Sequence, residues 1–193
     1  VDVVLQDGIV VAPADAGGGQ TTKPQALVIV PTRELCVQVA KDLELAGARR
    51  NVRVLAVYGG RAYEPQVSAL SSGVDVVIGT PGRLIDLAKQ RHLDLSDVKI
   101  LVLDEADEML DLGFLPDVEH LVSLTNAKRQ TMLFSATMPG QIINLARRYM
   151  TQPTHIRATD PDDAGSTVLS IEQHVWRAHA LDKVELVARI LQA

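Results

Sequence analysis

Two adjacent carboxylates follow the apolar run Ile100-Leu101-Val102-Leu103, in the tetrapeptide Asp104-Glu105-Ala106-Asp107. The run has the composition of a buried strand, so the acids stand at the carboxyl end of a sheet strand. That is the edge at which open α/β folds bind ligands. Carboxylates placed there can hold a hydrated Mg²⁺ and polarise a water for attack on a phosphate. Without the strand in front, the same four residues would read as an ordinary solvated helix start.

Other short segments could serve such a site. Thr32, after Pro31, can cap a helix beginning near Arg33, and Thr80-Pro81-Gly82-Arg83 fits a helix N-cap with proline at the first helical position. Each would present free N–H groups beside an arginine, which suits a phosphate; taken singly, each is an ordinary cap beside a solvent-facing arginine. Gly59-Gly60, before Arg61, permits close backbone approach or forms a simple turn. Ser135-Ala136-Thr137 puts two hydroxyls at a strand end, with Pro139 helping to start the next helix. Beside Asp107 those hydroxyls could form a hydrogen-bonded switch that reports the state of a nucleotide. Met109, Leu110, Leu112, Phe114 and Leu115 read as packing residues without chemistry. The histidines at 92, 120, 155, 174 and 179 lack paired ligand spacing, so no zinc site is expected.

The elements that must position these residues follow from the hydrophobic pattern. Strands are predicted over 26–30, 54–58, 74–78, 100–103 and 131–134, with a weaker one over 154–156. Helices are predicted over 34–45, 64–70, 83–89, 117–124 and 141–149. Strands rich in Val, Ile and Leu, without polar alternation and separated by helices, form a parallel sheet covered on both faces. The fold class is doubly wound α/β. In such a sheet the strand ends share one edge, so the five loops named above converge on one composite site. Residues 160–167 (DPDDAGST) read as an acidic linker. Beyond it a strand over 171–177 and an amphipathic helix over 181–191 cannot bury their faces alone, and read as the first piece of a second domain.

Composition sets limits. The 193 residues suit one domain with a fragment of another, and 47% apolar content is enough for a substantial core. A net charge of −5 argues against a general basic coat, so any nucleic-acid contact has to come from a local patch. Cys36 is the one cysteine, which excludes an internal disulfide and fits a reducing compartment. No apolar stretch approaches the ~18 residues of a membrane span, and no basic-then-apolar leader is visible, so no membrane partner is expected and cytoplasm is the default.

With PTREL, GG, TPGR, DEAD and SAT in this order, the chain resembles the N-terminal RecA-like domain of DEAD-box ATP-dependent RNA helicases. The resemblance runs from about residue 25 to 156, and EMLDLGF and RQTMLFSATMP carry it further, with a bacterial flavour. The segment 171–191 is similar to the opening of the family's second RecA-like domain. The resemblance implies a layout: 1–24 as the tail of a first helix and a flexible loop, 25–159 as helicase domain 1, 160–169 as linker, and 170–193 as the truncated start of domain 2. It implies that Asp104 binds the Mg²⁺ of Mg-ATP through water and that Glu105 is general base for the attacking water. Asp107 would link to Ser135 and Thr137, coupling hydrolysis to RNA strand separation. Pro31, Thr32, Arg33, Gly59, Gly60, Arg61, Thr80, Pro81, Gly82 and Arg83 would line a groove for the RNA backbone. Such contacts carry little sequence information and weaken with salt. The implied partners are RNA, ATP and the second RecA-like domain.

One departure is large. The family's phosphate-binding loop, GxxxxGK[ST], has no match, for none of the six lysines follows a glycine. Gly17-Gly18-Gly19-Gln20-Thr21-Thr22-Lys23 mimics its composition, but Pro24 follows Lys23 and the run precedes a strand, so it reads as a flexible surface loop. The chain therefore holds the metal and water half of an ATPase site without the phosphate cradle, and is expected by itself neither to turn over ATP nor to unwind RNA. The strand that carries the loop lies inside the family's sheet, so a gap is expected there. Residues 8–11 or 171–176 could fill it, or the sequence omits part of the protein. A non-catalytic RNA-binding or scaffold module that keeps the groove, and a related motor acting on DNA, are the competing readings.

Overall fold

The computed structural model describes residues 2–6, 23–157, 179 and 182–192. The chain divides into two compact units, Val1–Thr159 and Asp160–Ala193. The first unit is built on strands β1 (Asp2–Gln6), β2 (Ala26–Ile29), β3 (Val54–Val57), β4 (Val76–Gly79), β5 (Ile100–Leu103), β6 (Gln130–Ser135) and β7 (Pro153–Arg157). They form one sheet in the order β3-β4-β2-β5-β6-β1-β7. Neighbours from β3 to β6 are parallel, whereas β1 runs antiparallel to both β6 and β7.

Among the described residues, six α-helices accompany the sheet: α1 (Arg33–Gly47), α2 (Tyr63–Ser71), α3 (Pro81–Lys89), α4 (Ala106–Asp111), α5 (Leu115–Leu124) and α6 (Gly140–Tyr149). Side-chain alternation along the strands separates two cores. Leu27 and Ile29 of β2 join Val57, Val77, Leu101, Leu103 and Leu133 on one face, against Leu70, Leu84, Leu87, Leu121, Ile142 and Leu145 of the helices. Val28, Val30 and Ile78 point the other way, onto Cys36 and Ala40 of α1. Burial pushes the Cys36 thiol up to about 11, so it is a packing group at neutral pH rather than a nucleophile.

The predicted strands from β2 to β7 and helices α1, α2, α3, α5 and α6 are present, with ends shifted by a residue or two because terminal turns fray. Two expectations need correction, and one element goes unread in the sequence. Asp2–Gln6, expected as a helix tail, is a strand, in keeping with its paired β-branched valines. The expected gap is filled among the described residues, because β1 lies between β6 and β7. The DEAD sequence also opens a short helix, α4, which periodicity over six residues is too short to reveal.

In the second unit, α7 (Lys183–Gln192) overlaps the helix predicted over 181–191, beginning two residues later and ending one residue beyond it. The glycine run at 17–22, the alternative fillers 8–11 and 171–176, the strand predicted over 171–177 and the linker 160–169 lie outside the described residues.

Candidate functional site

Parallel pairing fixes where the loops begin. Val57, Gly79, Ile29, Leu103 and Leu133 lie in one row across β3, β4, β2, β5 and β6. Within two residues after that row come Gly59, Thr80, Pro31, Asp104 and Ser135. One rim of the sheet therefore carries all five loops.

On the β2–β4 side the rim holds a groove of about 590 Å³, lined by Pro31, Thr32, Arg33, Gly59, Thr80, Gly82 and Arg83, together with Glu34, Asp86 and Phe114. Thr32 is extended (φ −122°, ψ 157°) and caps α1, its hydroxyl oxygen accepting from the Leu35 N–H at 3.3 Å. Thr80 is extended as well and Pro81 occupies the first turn of α3, but the Thr80 hydroxyl makes no capping bond. It is left able to serve a ligand. Gly60 has φ +80°, and a Cβ there would come within 2.9 Å of the Arg33 Cζ. The two glycines thus bring the chain against the Arg33 guanidinium and set its position, a nearer role than approach to a ligand. Arg83 donates to the Arg61 carbonyl at 3.3 and 3.4 Å, and its guanidinium lies 5.3 Å from the Tyr63 ring centre.

Three of the expected groove residues stand apart from its lining. Pro81 is buried in the core, and Gly60 faces Arg33. The Arg61 side chain lies over Tyr58 at 5.4 Å and lines a different pocket, with Leu55, Ala56, Ala62, Pro65 and Gln66. The sequence misses Phe114 as a groove residue, since an apolar residue near a helix reads as packing. It does both: it rests on the core and faces the groove. The signal is Gly113, whose φ of +78° turns the chain back to the rim after α4.

The acids form the other half of the rim. Asp104 is half-buried at the end of β5, and burial raises its carboxyl above the usual range despite the hydrogen bond its Oδ1 accepts from the Glu105 N–H at 3.0 Å. Glu105 is exposed in the left-handed conformation (φ 50°, ψ 52°), a strained backbone for a residue with a side chain. Burial, then the carboxylates of Asp104, Glu108 and Asp107, raise Glu105 too. A cation would relieve that crowding. Among the described residues no three acidic, histidine or cysteine side chains gather to hold a metal ion by themselves. The donor set therefore suits a Mg²⁺ that keeps several waters, held by one or two carboxylates and by the phosphates it accompanies.

Asp107, Ser135 and Thr137 are brought together. Asp107 Oδ2 accepts from the Thr137 N–H at 2.8 Å and from its hydroxyl at 2.9 Å. The Asp107 N–H donates to Ser135 Oγ at 3.2 Å, and that hydroxyl donates to the Thr137 carbonyl at 2.7 Å. Burial raises the Asp107 carboxyl, but the hydrogen bonds headed by that from Thr137 outweigh it and hold it below the usual range. The cluster ties the start of α4 to the loop after β6.

The DEAD/DEAH box helicase family model matches residues 9–145. The DEAD-box ATP-dependent RNA helicase CshA of Streptococcus pneumoniae is 44% identical over 86% of this chain and 31% of its own length. The ATP-dependent RNA helicase DeaD of Klebsiella pneumoniae is 46% identical over 88% and 26%. The chain thus spans about a third or less of these relatives. Among solved structures, a DEAD box protein from Methanococcus jannaschii superposes with a TM-score of 0.70 at 38% identity, covering 91% of this chain and 46% of that one. The yeast DEAD-box splicing factor Prp28 gives 0.62 at 37% identity, over 66% and 31%. The fold is RecA-like.

Proposed function

The chain belongs to the DEAD/DEAH box helicase family, and from that premise we propose that it is the first motor domain of an ATP-dependent RNA helicase. The reading rests on one observation: the groove, the acid pair and the Asp107–Ser135–Thr137 cluster start from one row of the sheet. Arg33 and Arg83 hold the sugar-phosphate backbone of RNA, with the Thr80 hydroxyl and the first-turn N–H groups of α1 and α3 beside them. Pro31, Thr32, Gly59 and Gly82 complete the wall, and Phe114 closes it.

Bound Mg²⁺ would neutralise charge on the phosphates of ATP, and Asp104 is the residue that would hold it. Glu105 sits where a general base is needed, exposed and with its proton affinity raised by burial and by its acidic neighbours. Asp107 transmits a movement of the acidic loop to the loop after β6 through Thr137. The partners in this reading are RNA, ATP and a second RecA-like domain of the same protein, and the compartment is the cytoplasm.

The residues present fit the metal and the water but not the triphosphate, for the sequence contains no GxxxxGK[ST] segment. The 193-residue chain therefore binds RNA without hydrolysing ATP. That same observation favours a second reading, a non-catalytic RNA-binding or scaffold module that retains the groove. Fluorescence anisotropy with labelled oligo(U) RNA and a phosphate-release assay test both. Arg33→Ala and Arg83→Ala are each expected to weaken RNA binding by about tenfold, the value of one charge-assisted phosphate contact. RNA affinity unchanged in both variants would overturn the groove assignment. Turnover of ATP by this chain, or nanomolar Mg-ATP binding, would overturn its inactivity. A Gly-Lys-Thr loop upstream in the complete reading frame favours the motor; its absence there favours the scaffold. Equal binding of the matching DNA would redirect the assignment to a DNA motor.

A further inference from the structure

The two edges of the sheet are built differently. At one end β7, Pro153-Thr154-His155-Ile156-Arg157, carries a proline and an arginine, residues that deter strand pairing. At the other end β3 is Val54-Leu55-Ala56-Val57, with no charge and no proline. Its hydrogen bonding alternates. The Arg53 and Val57 carbonyls accept from the β4 side, from Asp75, Val76 and Thr80, so the backbone groups of Val54 and Ala56 face away from the sheet. Further along, the Tyr58 carbonyl accepts from Gln66 Nε2 at 3.4 Å, which closes the edge there. What is left, among the described residues, is a short, apolar stretch of outward N–H and C=O groups.

A pocket of about 340 Å³ adjoins it, lined by Leu55, Ala56, Arg61, Ala62, Pro65 and Gln66. The flanking sequence is strongly basic. Residues 49–61 hold Arg49, Arg50, Arg53 and Arg61 and no acid, in a chain whose net charge is −5. Arg53 is engaged bidentately by Asp75, at 2.8 and 3.1 Å, whereas Arg49, Arg50 and Arg61 are exposed.

We propose that the β3 edge is a docking strand for an extended polypeptide segment with an apolar centre and acidic flanks. The segment would add to the sheet through Val54 and Ala56, place one small apolar side chain in the pocket, and set its acids against Arg61 at one end and Arg49 and Arg50 at the other. An outward-facing amide ladder with an apolar pocket beside it suits a peptide backbone rather than a nucleic acid. The proposal is independent of the reading of the groove.

The test is an amide chemical-shift titration of the 193-residue chain with the peptide acetyl-Glu-Val-Thr-Val-Glu-amide. The counterpart in which lysine replaces both glutamates, and oligo(U) RNA, serve as the other arms. The acidic peptide is expected to shift the Val54 and Ala56 amides and to bind about tenfold more tightly than the lysine peptide, a preference of one well-placed charge pair. Ala56→Pro removes an N–H that β4 does not use, so it should abolish the shifts with the fold intact by circular dichroism. Should that variant unfold, Arg61→Glu combined with Arg49→Glu is expected to reverse the preference between the peptides. Undisturbed edge amides, equal affinity for the two peptides, or a preference that survives charge reversal overturns the proposal. So does a β3 edge that responds only to RNA, or one already paired in a dimer by light scattering.

Discussion

At the scale of single residues, the proposed site is marked by one backbone anomaly and one hydrogen-bonded cluster. Glu105 is carried on a left-handed backbone directly after Asp104. Residue types can announce two acids after a strand; they cannot announce that conformation, because it is imposed by the β5–α4 junction against the local preference of glutamate. The association of Asp107 with Ser135 and Thr137 was legible as a possibility, from hydroxyls at one strand end and an acid at another. Its geometry makes a prediction. Thr137→Val removes the hydroxyl that donates to Asp107 Oδ2 while keeping the N–H bond. The Asp107 carboxyl should then titrate at higher pH than in the wild type, as followed by carboxyl-carbon NMR. A titration unmoved by the substitution would mean that the hydroxyl does not stabilise the charged form.

At the scale of elements, strands β2 to β6 were readable because each is a short apolar run with a helix or turn signal on both sides, and burial on two faces leaves no polar alternation to confuse the pattern. The connection between β3 and β4 was less so. Arg53, just before β3, is bound by Asp75, just before β4, through its side chain and through its own N–H at 2.8 Å. The bond from Arg53 keeps the Asp75 carboxyl below its ordinary value of 3.8. A depressed carboxyl contributes stability that is present above the unfolded value and is lost as pH falls through the lower folded one. Asp75→Asn should therefore lower stability at neutral pH and flatten its decline on the acid side of pH 4. Both side chains are about a third exposed, so the loss is put at about 1 kcal/mol after allowing for solvent screening. Urea melts at pH 7 and pH 3 measure it, and equal losses at the two would contradict the assignment.

At the scale of the whole molecule, charge and topology act together. The chain is net negative, so the proposed hold on phosphates would have to come from arginines gathered on one rim, with little help from long-range attraction. With Arg33 and Arg83 as the principal contacts, the logarithm of RNA affinity should fall against the logarithm of salt with a slope near −1.4, about 0.7 per phosphate on a single strand. A slope several times steeper would require a wider basic surface than this rim offers. Topology also explains the largest misreading. Five residues at 2–6 give no hint of which strands will receive them, for their partners in β6 and β7 lie about 130 residues or more away in sequence.

That distant pairing bears on how the chain comes to be folded during synthesis. The parallel strands β2 to β5 can assemble as they emerge, each beside a neighbour already made or soon to follow. The segment 2–6 is made before them, and its sheet partners exist only once β6 and β7 have both been translated. Assembly of this sheet finishes by retrieving a piece made well before its partners, and a ribosome stalled before residue 130 would hold that piece open to chaperones or to proteolysis.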